Sequence, residues 1–172
     1  MLIRDAALGD AASIARVHVA SWRAAYAGIV PQAHLDSLDE TQFTERWQHW
    51  ITSETSATFC VAEVDRALCG FASAGPIRKP ISFYDAELYA IYLLPQMQRQ
   101  GIGRRLFDYM ADKLVAQKLH HLLLWSLRDN PSTGFYRRLG GEAVAEDVCE
   151  IGGEILPTVA FGWKDIANRI WR

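Results

Sequence analysis

The residues of this chain best placed to do chemistry lie in one turn, Gln98-Arg99-Gln100-Gly101-Ile102-Gly103-Arg104. An apolar, aromatic run from Glu87 to Leu94 precedes it and stops at Pro95. After it, Leu106, Phe107, Met110 and Leu114 recur at helical spacing. Two glycines and flanking arginines therefore stand where a strand hands over to a helix. Successive N–H groups from Arg99 to Arg104 can line a concavity at a helix N-terminus, where the peptide dipoles favour an anion. Glycine at 101 and 103 would keep side chains out of the way of a phosphate. A Walker-type loop is excluded, because Arg104 and Arg105 follow the last glycine instead of Lys and Ser or Thr. A dinucleotide fingerprint fails at Leu106, where its third glycine belongs. A pyrophosphate cradle is left, beside the plainer alternative that the glycines only serve a tight turn.

The elements that must position this turn are legible by periodicity. Leu2 to Asp5 reads as a short strand, and Asp10 as the cap of a helix over Ala11 to Ala27. Ile14, Val17, Ser21 and Ala25 share one face of it, with His18, Trp22 and Tyr26 in a stripe beside them and Gly28 after. Pro31 to Asp39 suggests a helical turn, and Thr41 to Thr52 a helix with Phe43, Trp47, Trp50 and Ile51 inward. Ala57 to Val64 and Ala67 to Ala74 flank Asp65-Arg66 as a hairpin. Gly75 to Asp85, with two prolines, reads as a loop. His120 to Leu127 is a run suited to a doubly covered, parallel strand, which makes a right-handed βαβ unit with the Glu87 strand and the central helix. Asn130-Pro131 is expected to start a helix that carries Phe135, Tyr136 and Leu139 and stops at Gly140-Gly141. Glu142 to Ile151 and Glu154 to Lys164 form a hairpin about Gly152-Gly153, and a short helical tail follows from Asp165.

Bulk properties set the frame. The 172 residues are expected to form one domain with a real core. A net charge of −2 gives no global footprint for nucleic acid. No apolar run approaches the ~20 residues of a membrane helix, and Met1 to Asp10 does not read as a signal peptide. Cys60, Cys69 and Cys149 show no metal or disulfide spacing, so a cytoplasmic protein with reduced thiols and no metal is expected.

The spacing Gln98-x-x-Gly101-x-Gly103, after a strand ending Leu93-x-Pro95, resembles the acetyl-CoA signature of the GNAT superfamily of N-acetyltransferases. So does Leu124 to Gly141 (LWSLRDNPSTGFYRRLGG), with its Asn130, Phe135-Tyr136 and Gly140-Gly141. The order of elements from Leu2 to Trp163 matches as well, and Val19 to Pro31 and Ala160 to Ile166 look like a branch of small bacterial acetyltransferases. The resemblance implies an α/β (α+β) fold, with a mixed central sheet of about seven strands splayed between the fourth and fifth and flanked by helices. It implies acetyl-CoA in the splay, its pantetheine paired with the backbone of Ile91, Tyr92 and Leu93, and its pyrophosphate on Gln98, Arg99, Gln100, Gly101, Ile102, Gly103 and Arg104. Asn130 would bond the pantetheine or merely cap its helix; it stands one residue closer to Tyr136 than in many members.

The implied reaction is direct attack of a neutral primary amine on the thioester. An alkyl ammonium has a pKa of ~10.4, so a base must take a proton at neutral pH. Glu87 occupies the strand position, six residues before Leu93, where some members carry that base. Tyr136 is the matching acid for the departing thiolate, and a cysteine nucleophile is not expected. Trp22, Tyr26, Tyr84 and Asp85 are candidate walls for a small-molecule or peptide amine, aromatic faces and carboxylates suiting a cation. His120 and His121 read as structural. A homodimer is left open; neither nucleic acid nor a membrane is an expected partner. Two rivals are an acyl-CoA-binding regulatory module without turnover and a nucleotide-dependent oxidoreductase.

Overall fold

A computed structural model describes residues 1–169. Seven strands form one sheet: β1 (Leu2–Asp5), β2 (Thr58–Val64), β3 (Ala67–Pro76), β4 (Ala86–Leu93), β5 (Leu122–Leu127), β6 (Glu142–Ile151) and β7 (Glu154–Trp163). Their spatial order is β1-β2-β3-β4-β5-β7-β6. Every neighbouring pair is antiparallel except β4 and β5, which run parallel. That pair is joined through α4 (Ile102–Ala116), the crossover a parallel connection requires.

Alternation along the strands sends side chains to two cores. Cys60, Ala62, Ala72, Ala74 and Leu88 face α4, whose Leu106, Phe107, Met110 and Leu114 are fully buried there. Val61 and Phe71 point the other way, against Ile14 and Val17 of α1 (Ala11–Ala25) and Trp47 of α3 (Glu40–Ser53). Two short helices, α2 (Gln32–Asp36) and α5 (Thr133–Arg138), and single 3-10 turns at Leu8–Asp10 and Pro95–Met97 are the other helical elements among the described residues. Trp47 shows why α3 holds: its ring meets Phe71 at 4.9 Å and Trp50 at 4.9 Å, both edge-on.

Several boundaries differ from the sequence expectation, each for a local reason. α1 ends at Ala25, two residues early, and Gly28 then takes a φ of 77°. The expected loop at Gly75 is still strand: Gly75 pairs with Glu87 and Pro76 with Ala86. Proline is tolerated there because it is the last residue of the strand. A side chain at 75 would meet the Tyr89 hydroxyl at 2.7 Å, so glycine serves a close approach rather than a turn. β5 starts at Leu122, not His120, because the Asp85 carboxylate has taken the N–H groups of His120 and His121. α5 starts at Thr133 rather than directly after Asn130. Asn130 Oδ1 accepts the N–H of Ser132 at 2.8 Å, an Asx turn ahead of the helix instead of a cap on it. The expected tail helix is a turn from Asp165, whose carboxylate accepts the N–H groups of Ala167 and Asn168; its remainder lies outside the described residues.

Candidate functional site

β4 and β5 are in register only at Ala86 opposite Leu122 and Glu87 opposite Leu123. Beyond that they part. The Leu94 N–H still reaches Cys69 O on β3 at 2.9 Å, so strand alternation turns the N–H and C=O of Leu93 and Ile91 to the other side, into the gap. Tyr92 lies opposite Phe71, its own N–H and C=O directed to β3. Within the gap Leu93 O accepts from Ser21 Oγ at 3.1 Å and from Gln98 Nε2 at 3.4 Å. The register slips between Ser73 and Ala74, leaving Tyr89 without a partner residue on β3. This bulge puts Tyr89 and Ala90 on the α1 side in succession, while Leu88 before and Ile91 after face α4.

The glycine turn stands at the open end of the gap. Arg99 has a φ of 63°, and Gly101, the residue capping α4, has a φ of 81°. No side chain caps α4, and its first return bond runs from the Arg105 N–H to Gly101 O. The N–H groups of Ile102, Gly103 and Arg104 are therefore left for a ligand or solvent. The two glycines do different jobs. Gly101 is needed for its left-handed backbone. At Gly103 a side chain would press within 3.2 Å of Phe135 and 3.3 Å of Leu93, so this glycine lets the helix close onto its neighbours and does not clear space for phosphate. Gln98, Arg99, Gln100 and Arg104 are exposed around the turn, Arg104 pairing with Asp108 at 3.7 Å.

Glu87 is 4% exposed, and Arg78 occupies its carboxylate. Oε2 accepts the Arg78 backbone N–H at 3.2 Å and its Nε at 3.1 Å; Arg78 Nη2 bonds Oε1. The guanidinium also lies 4.5 Å from the centre of the Tyr89 ring. Nothing in the sequence singled out Arg78; it sits in a segment read only as a loop.

Three phenols converge across the gap. Trp22 Nε1 donates to Tyr92 Oη at 3.0 Å, and Tyr26 bonds the same hydroxyl. Asn130 Nδ2 donates to Tyr26 Oη at 3.1 Å and to Ser126 Oγ at 3.0 Å. Tyr136 is buried against Phe161, its hydroxyl near that of Tyr26. Burial raises the pKa of all three; neighbouring phenols add to it at Tyr92 and Tyr136, while at Tyr26 the bond with Tyr92 opposes it without reversing it, so each holds its proton through the neutral range. Asn130 spends its side chain on Tyr26, Ser126 and Ser132, an arrangement its sequence position did not reveal.

On the α1 face of β4 lies a cavity of about 550 Å³. His18, Trp22, Trp47, Trp50, Phe59, Tyr89 and Tyr92 wall it, and Glu54 and Arg78 stand among its polar residues. Of the expected acceptor walls, the structure places Trp22 here. Tyr26 belongs to the phenol network, and Tyr84 packs with Leu123 and Ala160. Asp85 pins β5 to β4: burial opposes its ionisation, but the His121 ring at 2.9 Å and the N–H groups of His120 and His121 outweigh this and lower its pKa. Cys60 and Cys69 are buried on β2 and β3, and burial pushes the Cys60 thiol up to about 12.

A seven-stranded mixed sheet parted between its fourth and fifth strands is the GNAT fold. PaiA N-acetyltransferase of Thermoplasma acidophilum, solved with coenzyme A, superposes with a TM-score of 0.70 at 21% identity over 91% of this chain and 96% of its own. YncA of Salmonella typhimurium, solved with its cofactor acetyl-CoA, gives 0.71 at 20% identity over 95% and 93%. The sequence itself matches the acetyltransferase (GNAT) family model over residues 19–141. It is 41% identical over 165 residues to YuaI, an uncharacterised N-acetyltransferase of Bacillus subtilis (strain 168), a match that spans 96% of this chain and 94% of that protein. The chain belongs to the acetyltransferase (GNAT) family.

Proposed function

We propose that this protein moves the acetyl group of acetyl-CoA to a primary amine by direct attack within a ternary complex. The observation that carries this reading is the gap between β4 and β5. It offers the backbone polar groups of Ile91 and the N–H of Leu93, which no neighbouring strand pairs, along one wall, with Leu93 O held there only by the Ser21 and Gln98 side chains, and the free N–H groups of Ile102, Gly103 and Arg104 at its mouth. An extended amide chain that ends in a pyrophosphate fits that pattern: added-strand pairing for the first, anion binding at a helix N-terminus for the second. PaiA and YncA, of the same fold, were solved with coenzyme A and acetyl-CoA respectively.

Acetyl-CoA, when bound, supplies an acetyl group activated as a thioester. The chain's residues do the rest. Ile91 and Leu93 align the amide arm, and a backbone N–H of this wall steadies the carbonyl oxygen. Glu87 receives the proton shed by the acceptor ammonium. Because Arg78 fills its two oxygens, the proton passes through a water or on displacement of the exposed guanidinium, which is 65% accessible. Tyr136, protonated through the neutral range, holds a proton for the departing sulfur.

The occupied Glu87 carboxylate is the one observation that favours the rival reading, acyl-CoA binding without turnover. Assay of the thiol released from acetyl-CoA with a panel of amines separates the two. Glu87→Gln is expected to lower kcat about 10²-fold at neutral pH, recovering as pH rises and the amine deprotonates, while the acetyl-CoA Kd stays within about twofold. Tyr136→Phe should lower kcat with KM little changed. Tight acetyl-CoA binding with no amine acetylated would establish the rival.

A further inference from the structure

The acetyl-transfer reading leaves the acceptor unspecified, and the cavity on the α1 face narrows it. Its volume of about 550 Å³ is within the range of small-molecule sites. Its walls are rings: Trp22, Trp50, Phe59 and Tyr89 at the sides, with His18 stacked on Tyr92 at 5.1 Å behind them. Its charges are sparse. Arg78 and Glu87 neutralise each other. Glu54, next to Tyr89, is the remaining lining carboxylate and has no ion pair among the described residues. His18 is neutral at physiological pH, because burial and then Arg46 push it down to about 4, and it adds no charge.

We propose that this cavity receives a primary monoamine with a flat apolar body, an arylalkylamine in chemical class. One unpaired carboxylate matches one positive charge; a polyamine or an aminosugar with several ammonium groups would find a single counter-charge among rings. The rings supply what such an acceptor needs: faces for its apolar body and for its cation. This inference rests on the acetyl-transfer reading. In the transfer the amine nitrogen gains the acetyl carbon, the carbon–sulfur bond breaks, and coenzyme A leaves as the thiol. The ammonium loses two protons, one matched by the thiol and one released to solvent.

The test compares phenethylamine and tryptamine with spermidine, kanamycin and an alanine-ended tripeptide, following thiol release. In parallel, phenethylamine binding is read by quenching of tryptophan emission, and acetyl-CoA binding by calorimetry. The arylalkylamines are expected to show kcat/KM at least about tenfold above the others, and phenethylamine to quench saturably. Glu54→Gln, on an exposed residue that tolerates change, should raise the phenethylamine KM about three- to fivefold with kcat unchanged. Trp50→Ala should raise it further, circular dichroism confirming the fold. A preference for spermidine, kanamycin or the tripeptide would overturn the acceptor class. So would acetyl-CoA binding with neither turnover nor quenching by the arylalkylamines. Absence of acetyl-CoA binding would instead strike the underlying acetyl-transfer reading.

Discussion

His18 shows how much a single residue carries that its type does not announce. Its ring lies among Phe43, Trp47, Phe71 and Tyr92, and its Nδ1 accepts from Trp47 Nε1 at 3.3 Å. That bond places the ring proton on Nε2. Burial, with Arg46 adding to it, depresses the imidazole pKa from about 6.5 to about 4. Between those values the unfolded chain binds more protons than the folded one, so stability rises with pH across the window. His18 therefore costs nothing above pH 6.5, and stability is lost as pH falls towards 4, by on the order of 3 kcal/mol in full. His18→Gln keeps an acceptor for Trp47 without titrating. Urea melts at pH 7.0 and 4.5 should show the acid loss reduced in this variant, whatever its packing defect at pH 7.0. An equal loss in both proteins would mean that His18 is not the group responsible. At the same scale, Gly101→Ala forces a side chain into a φ of 81° and should cost about 1–2 kcal/mol in thermal melts.

Elements were legible where their period was, and illegible where they meet. The fully buried Leu106, Phe107, Met110 and Leu114 are the set helical spacing picks out, and β2 and β3 follow from alternation around Asp65 and Arg66, both at positive φ. The bulge at Tyr89 left no mark in the sequence, since it arises from pairing with β3. Nor did the network that joins Tyr26 at the end of α1, Tyr92 on β4 and Ser126 on β5 through Asn130. Its Tyr26–Asn130 bond spans 104 residues and has no local signature. The Glu87–Arg78 pair was hidden in another way, Arg78 standing in a segment whose prolines spoke only of a loop. The network predicts coupling between elements. Tyr26→Phe removes the acceptor of an Asn130 N–H in a buried site and should destabilise the protein by about 1–3 kcal/mol. In a double-mutant cycle with Asn130→Ala, the two losses should overlap by at least about 0.5 kcal/mol. Strictly additive losses would show that the hydrogen bond carries no energy.

At the scale of the molecule, the sheet is two antiparallel blocks, β1 to β4 and β5 with β7 and β6, held in register by two residue pairs. Elsewhere strands share four to nine pairs, so the parallel seam is the weakest line in the sheet. A ligand that fills the gap supplies hydrogen bonds that no neighbouring strand makes, and it stabilises the folded state by mass action. At a hundredfold excess over Kd this amounts to about 2.7 kcal/mol, or a rise in melting temperature of about 5–10 °C for a chain this size. The location of that stabilisation is the sharper prediction. In amide hydrogen exchange, Ala90 and Tyr92 point their N–H groups at β3 and should be slow with or without coenzyme A. Ile91 and Leu93 point theirs into the gap and should exchange faster in the free protein, then slow on binding. Protection that alternates along four consecutive residues has no explanation in a general tightening of the fold. Coenzyme A that raised the melting temperature while slowing all four amides alike would place its binding outside the gap and remove the basis for the donor site.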